Sequence, residues 1–396
     1  MLARPGYRRL WAARTTSSCG DAVATVALAL LILELTGSAL GVASLVIAEI
    51  LPVLAFAPLA GILVDRLPRV RTMIAADLGR AVLAGLLPLV AGQVAAVYAV
   101  AFGLSLGTVL FTPAAAAALP DLVKDDEVIA ANSGIWTAAV LAQIALAPLA
   151  GLLVAAVGPA PAFTLNAVSF LVSAAVLVRL ALPPASPEPD RMRTRGWLID
   201  ATAGARMIAG DRVLRVLAVG QLLAALSAGA TSALLVVLAS EHLGVGATSY
   251  GLLLGAIGIG AASGPLLFLR FIRDARHPAF VFGPYALRGG VDLVLATFTA
   301  FPLALGTLVI YGLGTSTGAV TFTSLLQTYT AGAVRGRVLA AFDLLWQLGR
   351  LISLAVGSLV AETLGIRAVY YFGGTLLLLA AVIGWSGLRS ASFRKP

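Results

Sequence analysis

The sequence predicts an all-α integral membrane protein whose twelve transmembrane helices form two pseudo-symmetric six-helix bundles. Three observations lead to this prediction. First, 60% of the 396 residues are apolar, only 11% are charged and the mean hydropathy is +0.99, whereas soluble proteins carry about 25% charged residues. Second, the apolar residues form runs of about 20, the length that crosses a bilayer. Third, one polar, proline-rich segment divides these runs into six and six.

These observations argue against several classes of protein. A soluble domain of this size could not cover its surface with so few charges, so a globular enzyme, a disordered chain and a nucleic-acid-binding module are poor interpretations. An outer-membrane barrel is disfavoured because the apolar runs are continuous and do not alternate with a period of two residues. We therefore expect a lipid bilayer as the surroundings, with no nucleic acid and no required protein partner.

Twelve apolar segments are the predicted spans. They are 10–36, 40–64, 70–91, 94–117, 129–157, 160–182, 212–240, 247–271, 279–299, 303–328, 337–363 and 366–388. The first follows Arg4, Arg8 and Arg9 and is similar to a signal peptide. Cys19 and Asp21 interrupt its apolar run and no convincing cleavage site follows, so we expect it to remain as an uncleaved span.

The basic residues set the predicted orientation. With a cytoplasmic N-terminus, the cytoplasmic segments hold 23 of the 27 lysines and arginines, the opposite side holds only Arg367, and three lie inside spans. This distribution follows the positive-inside rule and accounts for the net charge of +9. It predicts a multi-pass protein with both termini in the cytoplasm. Arginine outnumbers lysine by 25 to two, which is typical of a GC-rich genome and indicates the cytoplasmic membrane of a bacterium.

The polar segment in the middle of the chain predicts the domain boundaries. We expect an N-terminal six-helix bundle over 1–182, a cytoplasmic linker over 183–211 and a C-terminal six-helix bundle over 212–396. Four prolines between positions 183 and 189 exclude a helix interior there, whereas the segment from Trp197 to Gly210 is a candidate surface helix.

The two halves also repeat one another. A glycine turn joins spans 5 and 6 at Gly158, and another joins spans 11 and 12 at Gly365. Span 3 and span 9 each carry an arginine at a similar depth. Such duplication is typical of transporters whose substrate site lies between the repeats.

Polar residues inside the spans are the candidate proton-coupling or substrate residues, because ionisable groups in a bilayer are costly and usually paired or functional. They are Asp21, Glu49, Asp77, Arg80, Arg288, Asp292, Asp343, Gln347 and Arg350. Spacings of three or four residues predict that Asp77 pairs with Arg80 and that Arg288 pairs with Asp292. The last three residues form one polar stripe on span 11. For all three sets, a structural role and a substrate role remain open.

Asp21 and Glu49 have no cation three or four residues away on their own helix, and both are expected near the membrane midplane. A carboxyl group there could exchange a proton as its hydration alternates, or it could bind a cationic substrate. A partner from another helix, such as Arg80 for Asp21, is the structural alternative. Five aromatic residues could line a cavity or face lipid: Phe111, Trp136, Phe322, Tyr329 and Trp346.

No metal, cofactor or catalytic centre is expected from the sequence. Cys19 is the only cysteine, and His242 and His277 lack metal-ligand spacing. Neither lysine lies in a phosphate-binding loop, which argues against a nucleotide-driven pump. The acids within the spans make the proton gradient the expected energy source.

The loop between spans 2 and 3 resembles the signature loop of the major facilitator superfamily. Its signature residues are Gly61, Asp65, Arg66, Arg69 and Arg71. Pro68 stands where the family usually has glycine, and Phe268 replaces the acid in the equivalent loop of the second half. The resemblance implies two hinged six-helix bundles that work by alternating access, with these residues as a conformational latch. In the latch, Asp65 would contact the start of span 11.

Further motifs, in order along the chain, make the sequence similar to the exporter branch that includes macrolide-efflux and enterobactin-exporter types. They are Gly20-Asp21, Leu51-Pro52, Asp77-Leu-Gly-Arg80, Phe111-Thr-Pro113, Leu119-Pro-Asp121, Ala131-Asn132-Ser133 and Arg335-Gly-Arg337. In span 5, Pro148 and Gly151 match the motif of drug–proton antiporters, but Ala147 replaces its first glycine.

The predicted function is therefore proton-coupled export of an amphipathic small molecule such as a drug, a siderophore or a secondary metabolite. A symporter or a lipid-moving member of the same superfamily is the alternative, because the sequence does not fix the direction of transport. A membrane enzyme or a receptor is less favoured, since an intramembrane protease would need a serine–histidine or paired-aspartate centre that the spans do not supply.

Overall fold

A computed structural model describes residues 4–124, 127–182, 197–271, 278–330 and 332–388. Within these ranges the regular structure is helical, without β-strands. The α-helices are α1 (Pro5–Thr36), α2 (Ala39–Arg66), α3 (Arg69–Val90), α4 (Val94–Ala118), α5 (Val128–Val157), α6 (Ala160–Val178), α7 (Trp197–Gly210), α8 (Arg212–Ala233), α9 (Leu235–Val237), α10 (Ala247–Phe271), α11 (Pro278–Thr297), α12 (Phe301–Tyr329), α13 (Gly332–Leu364) and α14 (Ile366–Leu388).

The twelve predicted spans correspond to α1–α6, α8 and α10–α14, and the prediction of an all-α membrane protein is confirmed. Among the described residues, eleven helices are long and apolar enough to cross a membrane. The remaining span, α11, has 20 residues but contains both Arg288 and Asp292, and these two charges lower its hydropathy.

The seventh span differs from the prediction of one helix over 212–240. It breaks at Leu234, where the backbone leaves helical geometry, and continues through α9 and a π-helical turn at Leu238–His242. On α14, the Tyr370 hydroxyl donates to the Thr231 carbonyl oxygen at 2.7 Å, just before the break. The apolar sequence continues across this break without a proline or a glycine at Leu234, so hydropathy did not reveal it.

The chain divides into two compact units. The first comprises Met1–Pro189 together with Gly246–Gly255, and the second comprises Asp190–Val245 together with Ala256–Pro396. The prolines of the predicted linker lie outside the described residues. The segment predicted as a surface helix forms α7, which packs on α13 within the second unit.

In the first unit, α1 packs against α2, α5 and α6, α3 packs against α4 and α6, and α2 packs against α4. Buried side chains such as Leu10, Met73 and Leu177 form the core between these helices. The Tyr7 hydroxyl donates to the Ala131 carbonyl oxygen at 3.0 Å, which fixes the start of α1 to the start of α5.

The second unit repeats this packing. Here α8 packs against α13 and α14, and α11 packs against α12 and α14, so α8 and α11 take the places that α1 and α3 occupy in the first unit. The helices α10 and α12 approach closely because neither Gly260 nor Gly312 has a side chain. A Cβ atom at Gly260 would overlap the Val309 carbonyl oxygen, and one at Gly312 would overlap the Ile257 carbonyl oxygen.

The two glycine turns that the sequence showed at equivalent places have nearly the same φ angle. Gly158 has φ +82° after α5, and Gly365 has φ +84° after α13. An L-residue with a side chain rarely adopts this left-handed region, whereas glycine does so readily. The matching φ angles of the two turns support the internal duplication of the six-helix unit.

Candidate substrate and proton sites

A buried ion pair joins Asp77 and Arg80 on α3, as their spacing predicts. Asp77 is fully buried and Arg80 is 3% exposed. The Nη2 atom of Arg80 donates to Oδ1 of Asp77, and the Ser173 hydroxyl on α6 donates to Oδ2 at 2.6 Å. Both carboxylate oxygens therefore have a hydrogen-bond donor, which compensates for the desolvation of the charge.

Two aromatic rings enclose the Arg80 guanidinium. Its carbon lies 4.7 Å from the ring centroid of Phe111 on α4 and 4.3 Å from that of Phe170 on α6. Gly107 leaves room for the arginine stem, because a Cβ atom there would lie 2.6 Å from Cγ of Arg80. Phe111 is thus part of a cation–π contact rather than an aromatic wall of a cavity.

Asp21 lies on α1 near this pair and is exposed. Its carboxylate interacts with the Asn166 side chain on α6 and is within the electrostatic influence of Arg80 and Asp77. Among the described residues it forms no ion pair within 4.0 Å. Arg80, the partner that the sequence suggested for Asp21, forms its ion pair with Asp77. Asp21 therefore lies near this pair without forming an ion pair with Arg80.

Glu49 lies on α2 in the same unit and is half-buried. Its main-chain carbonyl oxygen accepts a hydrogen bond from the Ser105 hydroxyl on α4 at 2.5 Å. Its carboxylate interacts electrostatically with Tyr250. Asp21 therefore lies beside a buried ion pair, whereas Glu49 contacts α4 through its main chain.

The corresponding charges of the second unit do not pair, contrary to the prediction from their spacing. Arg288 and Asp292 on α11 are 6% and 1% exposed, yet no ion pair within 4.0 Å joins them. Instead, Nη2 of Arg288 donates to the Tyr311 hydroxyl on α12 at 2.9 Å, and its guanidinium lies 4.7 Å from that ring. Arg288 thus bonds a tyrosine hydroxyl on the neighbouring helix, whereas its spacing on α11 predicted a pair with Asp292.

A cavity of about 480 Å³ opens within the second unit. Phe322, Phe342 and Trp346 contribute aromatic surface, while Gln221 and Asp343 contribute polar groups. The other lining residues are Tyr285, Arg288, Gly314, Thr315, Gly318, Ala319, Thr323, Leu326 and Leu339. The volume is within the usual range of small-molecule sites, about 300–1,000 Å³. Of the five candidate aromatic residues, Phe322 and Trp346 line this cavity, whereas Trp136 is 52% exposed.

The polar stripe predicted on α13 is divided by the structure. Asp343 is exposed on the cavity wall and has no ion pair within the described part of the chain. Arg350 instead interacts with Gln347, with 3.5 Å between Nη1 and Oε1, and neither of these two residues lines the cavity. Asp343 is therefore the accessible anionic group of this site.

The signature loop is described in part. Gly61, Asp65 and Arg66 form part of α2, but the side chains of Asp65 and Arg66 lie outside the described part of the structure. Arg69 forms an ion pair with Asp121 at 2.6 Å and donates to the Ala117 carbonyl oxygen at 2.8 Å, which connects the start of α3 to the end of α4. Arg71 is exposed. The predicted latch contact remains a prediction.

The span-5 motif lies at a close helix contact. Pro148 is half-buried and Gly151 is buried on α5. A Cβ atom at Gly151 would overlap the Ala247 carbonyl oxygen and would lie 3.2 Å from the Gly251 Cα atom. The glycine is thus required by the close approach of two backbones.

Sequence reasoning missed the hydroxyl groups that complete the charged sites. Ser173 bonds Asp77, the Ser227 hydroxyl on α8 lies 3.5 Å from Oδ2 of Asp292, and Tyr311 bonds Arg288. A hydroxyl within an apolar span was the only available signal. That signal is weak because serine in a helix often bonds its own preceding carbonyl groups.

Two duplicated six-helix units with buried charges and an amphipathic cavity define a polytopic membrane transporter. The sequence pattern of the family described as transmembrane secretion effector matches residues 2–390. The chain belongs to this family of the major facilitator superfamily.

Known proteins agree with this assignment. The chain is 34% identical over 125 residues to macrolide efflux protein A of Streptococcus pyogenes, a match that covers 31% of this chain and 31% of that protein. The match thus spans less than a third of the curated relative's length.

Solved structures show the major facilitator fold. The nucleoside transporter NupG aligns with a TM-score of 0.77 at 12% identity, over 96% of this chain and 99% of that chain. A bacterial homologue of the human lysosomal transporter Spinster aligns with a TM-score of 0.75 at 12% identity, over 97% and 96%. A bacterial homologue of the iron transporter ferroportin gives 0.73 at 18% identity, over 98% and 99%.

Proposed function

We propose that this transporter exports an amphipathic small molecule in exchange for protons, by alternating access. The observation that carries the proposal is the cavity of about 480 Å³ in the second unit. Its aromatic residues suit an apolar body, and its polar residues suit a hydrophilic group on the same molecule. A drug, a siderophore or a secondary metabolite has this combination.

The arrangement around Asp343 supports binding of a polar or cationic group. Asp343 presents an exposed carboxylate to the cavity, and Trp346 lies about one helical turn further along α13. A carboxylate next to an aromatic ring attracts a cation by charge and by the ring quadrupole. Because macrolide efflux protein A is among the relatives, a macrolide is a suitable first probe.

The proposed energy source is the proton gradient, without a bound cofactor. Asp21 and Glu49 remain candidate coupling residues of the first unit, because each carboxyl group lies within a predicted span, where an ionisable group is costly and often functional. Their hydration would change as access alternates between the two sides of the membrane.

The proposed setting is the cytoplasmic membrane of a bacterium, with both termini in the cytoplasm. The 23 cytoplasmic lysines and arginines support this orientation. We also propose that the protein moves its ligand without chemical change and needs only the ligand and the bilayer as partners.

The signature loop is the proposed latch between conformations. Asp65 and Arg66 would stabilise one state on the cytoplasmic side, and Arg69 and Arg71 complete the motif. Transport should be lost in Asp65→Asn while membrane insertion stays normal. Unchanged transport by that variant would remove the latch from the proposal.

Uptake of a radiolabelled macrolide into everted membrane vesicles tests the direction and the coupling. In these vesicles the lumen corresponds to the outer side, so an exporter that exchanges substrate for protons accumulates the probe when the lumen is acid. A symporter would instead lose the probe from an acid lumen. Vesicles without an imposed gradient and vesicles without the protein are the controls.

Three variants connect this assay to the named residues. Trp346→Ala should weaken binding of the probe because it removes an aromatic wall of the cavity, whereas the exposed Trp136→Ala should leave binding unchanged. Asp21→Asn and Glu49→Gln should reduce gradient-driven accumulation. If gradient-driven uptake persists unchanged in these two acid variants, neither residue couples the proton to transport.

A further inference from the structure

The two units contain equivalent charge sets in different states. The helices α3 and α11 occupy corresponding places, since each packs against the fourth and the last span of its unit. On α3, Asp77 has a cation and a serine hydroxyl on its two oxygens. On α11, Asp292 has neither a cation within 4.0 Å nor a donor for Oδ1.

The surroundings of Asp292 contain few polar groups. Arg288 is the charged residue that acts on it, from one turn earlier on α11. From α8, Ser227 offers one long hydrogen bond of 3.5 Å to Oδ2. From α14, Gly373 lies beside the same oxygen, and Tyr370 is bonded to the Thr231 carbonyl oxygen. From α12, Tyr311 is bonded to Arg288.

An ionised carboxylate at this position would be unfavourable. Asp292 is 1% exposed within a span, and a buried charge without a partner is strongly disfavoured unless it is neutralised. Arg288, the charged residue next to Asp292 on α11, donates its hydrogen bond to Tyr311 and not to the Asp292 carboxyl group. A proton on the carboxyl group removes the charge and accounts for its lack of an ion pair.

We propose that Asp292 is a proton-carrying residue of the transport cycle, and that Arg288 alternates between Tyr311 and Asp292 as that proton binds and leaves. This inference rests on the proposed proton-coupled function. While Asp292 holds a proton taken from water, Arg288 bonds Tyr311 and lines the cavity. When the proton returns to water on the other side, the carboxylate draws Arg288 to itself, a movement that the four-residue spacing permits.

This exchange connects the proton to the substrate site. Arg288 lines the cavity, whereas Asp292 does not. Movement of Arg288 therefore changes the charge and the hydrogen-bond donors that face a bound molecule. The pair Asp77–Arg80 is fixed by Ser173, Phe111 and Phe170, so we assign the moving arginine to the second unit.

Infrared difference spectroscopy of the purified protein in lipid nanodiscs tests the proton without a substrate. At neutral pH, the carbonyl stretching band of a protonated carboxylic acid should be present in the wild type and lose intensity in Asp292→Asn. Glu34→Gln is the matched control, because Glu34 is an exposed acid within α1, and it should keep the full band. Asp292→Glu should also keep it, at a shifted frequency.

Transport of the radiolabelled macrolide tests the coupling. Asp292→Asn should retain exchange of the probe between equal concentrations and lose the stimulation by an acid lumen. Asp292→Glu should recover part of the stimulation, and Glu34→Gln should match the wild type. A band unchanged in Asp292→Asn, or full gradient stimulation in that variant, would overturn the assignment.

The outcomes separate this inference from the proposed function. If the wild type shows no gradient-driven transport of any probe, the proposed function fails while the infrared band still reports on Asp292. If the wild type is coupled and Asp292→Asn is equally coupled, the proposed function stands and the inference fails. If Asp292→Asn does not insert into the membrane, Asp292→Glu replaces it in the test. A shifted band in Asp292→Glu supports the assignment, and an unshifted band overturns it.

Discussion

At the scale of single residues, the environment of Arg80 shows how this protein keeps a charge inside a membrane span. Asp77 neutralises it, two aromatic rings cover its faces, and Thr108 lies 3.4 Å from Nη1. The spacing of Asp77 and Arg80 predicted the pair. The rings and the hydroxyls come from other helices, and helical periodicity alone did not assign them.

Loss of Asp77 should destabilise the protein strongly. In Asp77→Asn the Arg80 cation stays buried without a counter-charge, a change that costs about 3–5 kcal/mol. We expect a lower melting temperature in detergent and less protein in the membrane. Arg71→Gln is the control on the same helix, because Arg71 is exposed and such changes alter stability by about 0.5 kcal/mol or less. Equal melting of both variants would show that the buried pair has no such role.

At the scale of elements, α7 is the part of the central linker whose structure can be followed. Gly204 brings it against α13, because a Cβ atom at Gly204 would overlap the Arg337 carbonyl oxygen and lie 2.9 Å from the Ala341 Cβ. Nearby, the Tyr329 hydroxyl donates to Oδ2 of Asp211 at 2.9 Å. Tyr329 lies beyond the apolar part of α12, and burial, together with the Asp211 carboxylate, raises its pKa to about 12.

A larger residue at position 204 should detach α7 from α13. In Gly204→Val the added methyl groups collide with backbone atoms of α13, which cannot move aside as a flexible side chain can. We expect faster trypsin cleavage after the exposed Arg206, measured by mass spectrometry of the fragments. Gly210→Ala is the matched control on α7, since a Cβ atom there meets no other atom within 4 Å. Cleavage at the same rate in both variants would contradict this docking.

At the scale of the whole molecule, the distribution of charge predicts how the chain lies in the membrane. A fluorescent protein fused to the C-terminus should be fluorescent, because we expect that end in the cytoplasm. Alkaline phosphatase fused in the turn at Gly158 should be active, and the same enzyme fused after Leu67 should be inactive. The opposite pattern of activities would reverse the predicted orientation, and comparable activity at both sites would contradict it.

The duplication is also a property of the whole molecule. The same order of helix packing occurs in both units, and their glycine turns have matching φ angles. The charge sets of α3 and α11 have nevertheless diverged, so that one is a closed ion pair and the other is open. A repeated backbone therefore holds a buried ion pair in one unit and an arginine bonded to a tyrosine hydroxyl in the other.

The sequence by itself determined the class of protein, the number of spans and the segment that became α7, because these follow from length, hydropathy and the residues that end helices. It also predicted the pair on α3, since residues three or four positions apart on one helix lie side by side, although a similar spacing predicted a pair on α11 that does not form. Only the tertiary structure decided that Arg288 bonds Tyr311. It also decided that Asp343 faces a cavity, whereas Gln347 and Arg350 do not. The physical reason is that these outcomes depend on which helices become neighbours, and spacing along one helix contains no such information.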